Sequence, residues 1–204
     1  MSAEAPWLYL ASQSPRRRQL LEQWGLRCEL LLPDPHEDAE AIEVARPNEA
    51  PATYVRRVTA LKLQHAVERQ QRRGLPEGPV LCADTTVALG RQILGKPDST
   101  EHAAAMLRQL SGRQHQVLTA VALHHQGRVH QALSRSQVRF AELTEAQIAH
   151  YVASGEPMGK AGSYGIQGLA GLLIERISGS YTGIMGLPAY ETAQLLAAAG
   201  IPLI

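Results

Sequence analysis

Apolar and polar positions follow two different rhythms along this chain, and together these rhythms predict a mixed α/β fold. Stretches that are typical of strands cover residues 8–11, 27–32, 79–83, 116–124, 128–140 and 172–177, and the run over 79–83 is continuously apolar. Amphipathic stretches with helical spacing cover residues 15–24, 51–73, 100–110, 145–154 and 187–199. A Gln-Gly turn at residues 126–127 joins the two longest strands into a hairpin. We therefore expect a mixed, twisted sheet with flanking helices and a long central hairpin.

Length, composition and charge narrow the class of protein. The 204 residues are 45% hydrophobic, which suffices for one domain over residues 1–204 with two lobes that share one sheet. A net charge of +1 and an aromatic content of 4% argue against a nucleic-acid partner. No apolar run reaches membrane-span length, and the first residues lack a signal-peptide pattern. Cys28 and Cys82 lie in strand-like runs and fit a reducing cytoplasm.

The segment over residues 33–51 is rich in Pro, Asp and Glu, so it is predicted to be a loop. Its position between the second strand and the long helix makes it a candidate lid. Its first acidic residues are Asp34, Glu37, Asp38 and Glu40. Each of them is a candidate metal ligand, and a solvated loop charge is the alternative for each.

The turn after the first strand carries a candidate anion site. Ser12 and Ser14 lie in the turn, Pro15 opens the next helix, and Arg16 and Arg17 occupy its first turn. Helix N-termini present free N–H groups and a positive dipole, so cations are unfavourable there unless an anion binds. This pattern favours a polyphosphate ligand, and solvated surface arginines are the alternative.

Asp84 is the strongest single candidate for catalysis. The strand over residues 79–83 is predicted to end at Asp84, at the edge where open α/β sheets bind ligands. A carboxylate there can hold a divalent metal or accept a proton from water, and a structural turn residue is the alternative. A hairpin over residues 86–94 is predicted to deliver Lys96.

Lysines in constrained positions complete the candidate site. Lys62 lies on the edge of an apolar helix stripe, Lys96 in Gly-Lys-Pro and Lys160 in Gly-Lys-Ala-Gly. Each is a compact point charge suited to phosphate. The sequence contains no GxxxxGK[ST] loop, HExxH pair or GxSxG elbow, so the familiar P-loop, zinc-peptidase and serine-hydrolase arrangements are not expected.

A series of segments occurs in a recognisable order: LASQSPRR, PDPHED, YVRRVTALK, ADTTV, LGKP, SGRQHQVLTAVAL, GEPMGKAGSYGIQG and GSYTGIMGLPAYET. With these segments the chain resembles the Maf family of cytoplasmic nucleoside triphosphate pyrophosphatases over nearly its whole length. Two positions depart from the family pattern. Gly159 stands where an acidic residue is expected, and Leu63 stands where a small residue is usual.

The resemblance implies hydrolysis of a nucleoside triphosphate to the monophosphate and pyrophosphate. It also implies a two-lobed Maf/ITPase-like architecture with a cleft, and it is compatible with a homodimer. Asp84 is then the proton acceptor, and Arg16, Thr85 and Gln167 are the specificity positions. Asp84 and Glu37 are the expected ligands of a divalent cation, Mg²⁺ or Mn²⁺. The remaining phosphate-binding candidates are Ser12, Ser14, Arg17, Lys62, Lys96 and Lys160.

The Gly-Ile-Gln-Gly segment around Gln167 is similar to the family branch that acts on dTTP and UTP, and modified pyrimidine nucleotides are further candidate substrates. One amide can pair with the imide edge of uracil or thymine. Cytosine presents the reverse pattern, so Gln167 excludes it only if its rotamer is fixed, and Thr85 is our candidate for fixing it. Two alternatives stay open: a 7-methyl-GTP pyrophosphatase, and a nucleotide-binding regulator of cell division without turnover.

Overall fold

The computed structural model describes residues 6–34, 37 and 41–204. In this part of the chain, the strands are β1 (Trp7–Leu10), β2 (Arg27–Leu30), β3 (Val80–Leu89), β4 (Gln92–Leu94), β5 (Gln114–His125), β6 (Arg128–Phe140) and β7 (Ile174–Ser178). The α-helices are α1 (Pro15–Gln23), α2 (Pro51–Arg72), α3 (Thr100–Leu110), α4 (Glu145–Ala153), α5 (Tyr181–Met185) and α6 (Ala189–Ala198).

All seven strands form one mixed sheet in the order β2-β1-β3-β5-β6-β7, and β4 pairs with β3. β1 is parallel to β2 and β3, whereas the other pairs are antiparallel. The central hairpin is β5–β6, and its turn residues Gln126 and Gly127 both have positive φ, as a tight hairpin turn requires. The predicted mixed sheet, flanking helices and central hairpin are confirmed.

The strand that carries Asp84 is longer than predicted. The sequence placed Asp84 at the end of a strand, but β3 is continuous from Val80 to Leu89 and Asp84 lies near its middle. The physical reason is the ladder with β5, which pairs antiparallel along β3 from Val80 to Ala88 and keeps the backbone extended.

The opposite edge of β3 explains how Asp84 nevertheless reaches a ligand site. On that edge β1 pairs with Val80 and Leu81, and β4 pairs with residues 87–89. Among the described strands, none pairs with residues 82–86 on this side. The edge is therefore open where β1 runs out into the Ser-rich turn, and the prediction of a ligand site beside Asp84 does not depend on a strand end.

Helices cover both faces of the sheet and bury its apolar side chains. α2 packs on β3 and β5, with Val55 and Val58 fully buried. Leu63, one of the two departures from the family pattern, is also buried and packs in a cluster with Tyr9 and Ala66. The larger side chain at this position therefore fills part of the core. The division into two lobes stays a prediction.

Local signals account for several helix ends. Thr144 and Gln147 form a capping box at the start of α4, and Ser99 caps α3 by accepting a hydrogen bond from the backbone N–H of His102. Ser14 precedes Pro15 at the start of α1 without a side-chain cap bond. Within the described ranges, no helix has the length and apolar character needed to cross a membrane. The homodimer and the cytoplasmic location stay predictions.

Candidate active site

A cavity of about 800 Å³ lies between the end of β1, the open edge of β3 and helix α2. Its lining includes most of the predicted site residues: Ser12, Ser14, Arg16, Arg17, Glu37, Lys62, Asp84, Thr85, Lys96 and Lys160. An adjoining cavity of about 280 Å³ shares Arg16 and Lys160 with the first and adds Gln167. The structure therefore brings together residues that are far apart in the chain.

Lys62 links two carboxylates in the lining of the larger cavity. Its Nζ donates to Oδ1 of Asp84 at 2.6 Å and lies 2.7 Å from Oε1 of Glu43. Lys62 follows the buried Val58 by one helical turn, so α2 points it across the open edge of β3. Burial lowers the pKa of Lys62, but the Asp84 and Glu43 carboxylates more than offset burial and raise it above its ordinary value.

Glu43 also connects this cluster to Lys96, because its Oε2 lies 3.5 Å from the Lys96 Nζ. Burial raises the pKa of Glu43, and the opposing effect of Lys62 and Lys96 is larger, so the carboxyl group has a lowered pKa and stays ionised. Helix α2 holds the Glu43 segment in place: the Tyr54 hydroxyl donates to the carbonyl oxygen of Glu43 at 2.7 Å.

The sequence reasoning missed Glu43. It singled out the acidic residues at the start of the loop, of which Asp38 and Glu40 lie outside the described residues. The available signal was the position of Glu43 between Ile42 and Val44, two apolar residues in a largely polar loop.

Glu37 has different partners from Asp84. Its carboxylate accepts from Nη2 of Arg69 at 2.5 Å and from Nη2 of Arg72 at 2.5 Å. The hydrogen bond from Arg69 is the main cause that lowers the pKa of Glu37 to about 2. Asp34 is in turn paired with Arg73. These contacts fasten the described part of the loop to the end of α2. The metal role of Glu37 and the lid role of the loop stay predictions.

Arg17, in the lining of the cavity, forms hydrogen bonds to three separate segments of the chain. Its Nε donates to the carbonyl oxygen of Gly186 at 2.7 Å, and its two Nη atoms donate to Ser12 Oγ at 3.0 Å and Thr85 Oγ1 at 3.3 Å. Burial lowers the pKa of Arg17, although a guanidinium remains charged in proteins. Arg17 therefore ties the turn after β1 to β3 and to the segment after α5.

Thr85 is engaged by neighbours other than Gln167. Its Oγ1 lies 3.0 Å from Oγ1 of Thr119 on β5 and accepts from Arg17. Among the described contacts, none joins Thr85 to Gln167. The hypothesis that Thr85 fixes the Gln167 rotamer therefore gains no support from this geometry.

Arg16 and Lys160 lie at the boundary between the two cavities. Burial lowers the pKa of Lys160, and the positive charge of Arg16 lowers it further. Their mutual repulsion is relieved when an anion binds between them. Gly159, just before Lys160, has a φ of +71°, a backbone conformation that glycine adopts without strain. Glycine at this position, where the family pattern led us to expect an acidic residue, therefore suits the observed backbone conformation.

The fold and the site together define an α/β protein with a cationic cavity that also contains carboxylates. Cationic groups from β1–α1, α2, the segment after β4 and the segment before Gln167 surround carboxylates at the open edge of one strand. This is the donor set that a metal-bound polyphosphate requires.

Comparison with known proteins gives the family. The chain belongs to the Maf family, because the model for Maf-like protein matches residues 7–199. A dTTP/UTP pyrophosphatase of Polaromonas sp. is 60% identical over 98% of each chain. A second, from Albidiferax ferrireducens, is 59% identical over 95% of this chain and 97% of its own. The predicted family is confirmed.

Similarity to solved structures is weak by comparison. A nucleoside-triphosphatase, or dITP/XTP pyrophosphatase, of Mycobacterium abscessus is 19% identical, with a TM-score of 0.43 over 67% of this chain and 75% of its own.

Proposed function

We propose that this chain hydrolyses dTTP and UTP to the nucleoside monophosphate and pyrophosphate, with the help of a divalent metal ion. The relatives with that name, at 60% and 59% identity over nearly the whole chain, support the substrate class. The observation that carries the proposal is the contact between Lys62 and Asp84 inside a cavity lined by cations. It supports Asp84 as the proton acceptor, because this carboxylate lies in the cavity that we propose for the phosphates.

The two cavities suggest how the substrate lies. A triphosphate carries about four negative charges, which the larger cavity can match with Arg17, Lys62 and Lys96. The smaller cavity, lined by Gln167, has room for the base. Arg16 and Lys160 then lie at the junction, where the α-phosphate joins the nucleoside. Ser12 and Ser14 can donate hydroxyl hydrogen bonds to phosphate oxygens.

The residues present fit a divalent cation that is shared with the substrate. Mg²⁺ is commonly held by one or two carboxylates together with substrate phosphates. Asp84 and Glu43 are suitable ligands, because both carboxylates contact the Lys62 ammonium and therefore lie close to each other. Glu37 is the alternative second ligand. Within the described residues there is no group of three His, Cys, Asp or Glu side chains that could cage a metal alone. When bound, the cation neutralises phosphate oxygens and lowers the pKa of water.

The protein residues then account for the proton and for orientation. Water attacks the α-phosphorus, the bond from that phosphorus to the bridging oxygen breaks, and pyrophosphate leaves. Asp84 takes the proton of the attacking water. Lys62 holds Oδ1 of Asp84, which leaves the second carboxylate oxygen for the water. Arg17 fixes Ser12 relative to β3, so the phosphate donors stay aligned with Asp84.

Replacement of the proton acceptor tests the mechanism. Asp84→Asn should lower the rate of pyrophosphate release by about 10² to 10⁴. Lys62 keeps Glu43 as an ionic partner, so the variant should fold. Asp98→Asn, a change at a highly exposed side chain, is the matched control and should behave as the wild type. An Asp84→Asn variant with the wild-type rate would refute the assignment.

A panel of nucleoside triphosphates, assayed with Mg²⁺ or Mn²⁺, tests the substrate. Preferred turnover of dTTP and UTP supports the proposal, preferred turnover of 7-methyl-GTP supports the sister activity, and absence of turnover supports a binding protein. Gln167→Ala should reduce the preference for dTTP and UTP over CTP. An unchanged preference would remove Gln167 as the residue that recognises the base.

A further inference from the structure

Gln167 is carried by a tight turn beside the smaller cavity. The N–H of Gly168 donates to the carbonyl oxygen of Gly165 at 3.0 Å, which places Ile166 and Gln167 at the centre of a four-residue turn. Gln167 itself is exposed, so packing does not fix its backbone. The position of its amide therefore depends on how the two ends of this turn are held.

The carboxylate of Glu156 holds the far end of the turn. Its Oε2 accepts from the N–H of Leu169 at 2.8 Å, and its Oε1 accepts from the N–H of Ala170 at 3.2 Å. The near end is linked to the same carboxylate through Tyr151. The N–H of Gly165 donates to the Tyr151 hydroxyl at 3.3 Å, and that hydroxyl donates to Oε1 of Glu156 at 2.9 Å. One carboxylate thus connects both ends.

Two further observations show that Glu156 is built into this turn. A Cβ atom at Gly168 would lie 2.1 Å from Oε2 of Glu156, so only glycine leaves room for the carboxylate. Burial raises the pKa of Glu156, but the N–H groups of Leu169 and Ala170 and the Tyr151 hydroxyl outweigh burial and lower the pKa below its ordinary value. The group therefore stays an ionised acceptor. The carbonyl oxygen of Glu156 also accepts from the Lys160 ammonium.

We propose that Glu156 is the positioning residue for Gln167: its carboxylate clamps both ends of the turn over residues 165–170 and so fixes the amide that discriminates among pyrimidine bases. The inference rests on the proposed function, because it assumes that the smaller cavity receives the base. Glu156 needs no contact with the substrate for this role. Its loss should impair recognition of the base and leave the phosphate site as it is.

The test compares a ligand that has a base with one that lacks a base. Glu156→Gln keeps the size of the side chain but replaces one acceptor oxygen by an amino group that cannot accept from N–H. We expect about tenfold weaker binding of α,β-imido-dUTP in the presence of Mg²⁺. Binding of inorganic triphosphate should stay at the wild-type level, and the preference for uracil over cytosine analogues should fall.

Equal weakening of both ligands would overturn the proposal, since it would indicate general damage to the fold, and so would unchanged binding of both. If Glu156→Gln fails to fold, Tyr151→Phe decides the question. It removes only the hydroxyl between Glu156 and Gly165, and it should weaken the uracil analogue about threefold without affecting triphosphate. Glu145→Gln, a change at an exposed carboxylate, is the control and should alter neither ligand.

The two proposals fail separately. Release of pyrophosphate from UTP by the wild type tests the proposed function. The ratio of variant to wild-type affinity for the analogue tests the role of Glu156. If the wild type binds the analogue but releases no pyrophosphate from UTP, the proposed activity is refuted, and the binding comparison still decides the positioning role of Glu156. A wild type that does not bind the analogue at all overturns both.

Discussion

The buried pair of His115 and Tyr164 predicts that this protein loses stability in mild acid. His115 is 2% exposed, its Nε2 lies 2.8 Å from the Tyr164 hydroxyl, and its ring packs against Phe140. Burial lowers the pKa of His115 to about 4. Burial likewise raises the pKa of Tyr164, so both groups are neutral at physiological pH. Lowering the pH from 7 to 5 is the perturbation.

The size of the effect follows from the two pKa values of His115. The unfolded chain has the ordinary histidine pKa of about 6.5 and takes up a proton below it. The folded chain does not take up this proton until the pH approaches its own pKa of about 4. Stability therefore rises with pH across this window, because the unfolded state binds more protons. When the pH falls from 7 to 5, His115 should therefore lower the free energy of unfolding by about 2 kcal/mol, since one unit of pKa difference corresponds to about 1.4 kcal/mol.

The assay is urea unfolding of the wild type and of His115→Gln at pH 7 and at pH 5. The wild type should lose about 2 kcal/mol more than the variant between the two pH values. His150→Gln changes an exposed histidine and should follow the wild type. Equal losses in the wild type and in His115→Gln would refute the reasoning, because the acid sensitivity would then come from other groups.

Two further predictions concern stability and are measured by urea unfolding. Arg69→Ala should lower the free energy of unfolding by about 3 kcal/mol or more, since the Arg69 side chain is 4% exposed and its loss deprives the Glu37 carboxylate of its main partner. Arg72→Ala, at a side chain that is 55% exposed, should lower the free energy of unfolding by less than about 1 kcal/mol. Similar costs for both would contradict this. Gly162→Ala should cost more than Gly25→Ala, although both glycines have positive φ, because a Cβ at Gly162 would lie 2.8 Å from Val87 Cγ1, whereas nothing lies within 4 Å at Gly25. Equal losses of stability in the two variants would contradict this, because backbone strain alone would then account for both.

Elements with local signals were predictable from the sequence. The hairpin of the strands over residues 116–124 and 128–140 and the helix over residues 145–154 follow from signals in neighbouring residues, and the structure contains both. The extent of β3 was not predictable in the same way. Nothing near Asp84 in the sequence indicates that β5 pairs along the strand from Val80 to Ala88, because that ladder joins residues 28 to 44 positions apart.

In the candidate site, too, residues with local signals could be predicted, whereas residues that depend on distant contacts could not. Its cations could be found because arginines at a helix start, a lysine on the edge of an apolar helix stripe and lysines that directly follow a glycine are unusual in their own segments. Glu43 could not be separated from its acidic neighbours, because its importance depends on contacts with Lys62 and Lys96, which come from distant segments. The role of Glu156 likewise depends on a turn that begins nine residues later.

The uncovered edge of β3 also bears on how the protein avoids aggregation. An exposed strand edge normally invites pairing with another chain, and proteins block such edges with charge or brevity. Here the uncovered stretch is confined to residues 82–86, between the partners β1 and β4. Lys62, held at this edge by Asp84, places a charge where a foreign strand would have to dock. The opening that gives a ligand access to the sheet is thus too short and too charged to act as a template for fibril growth.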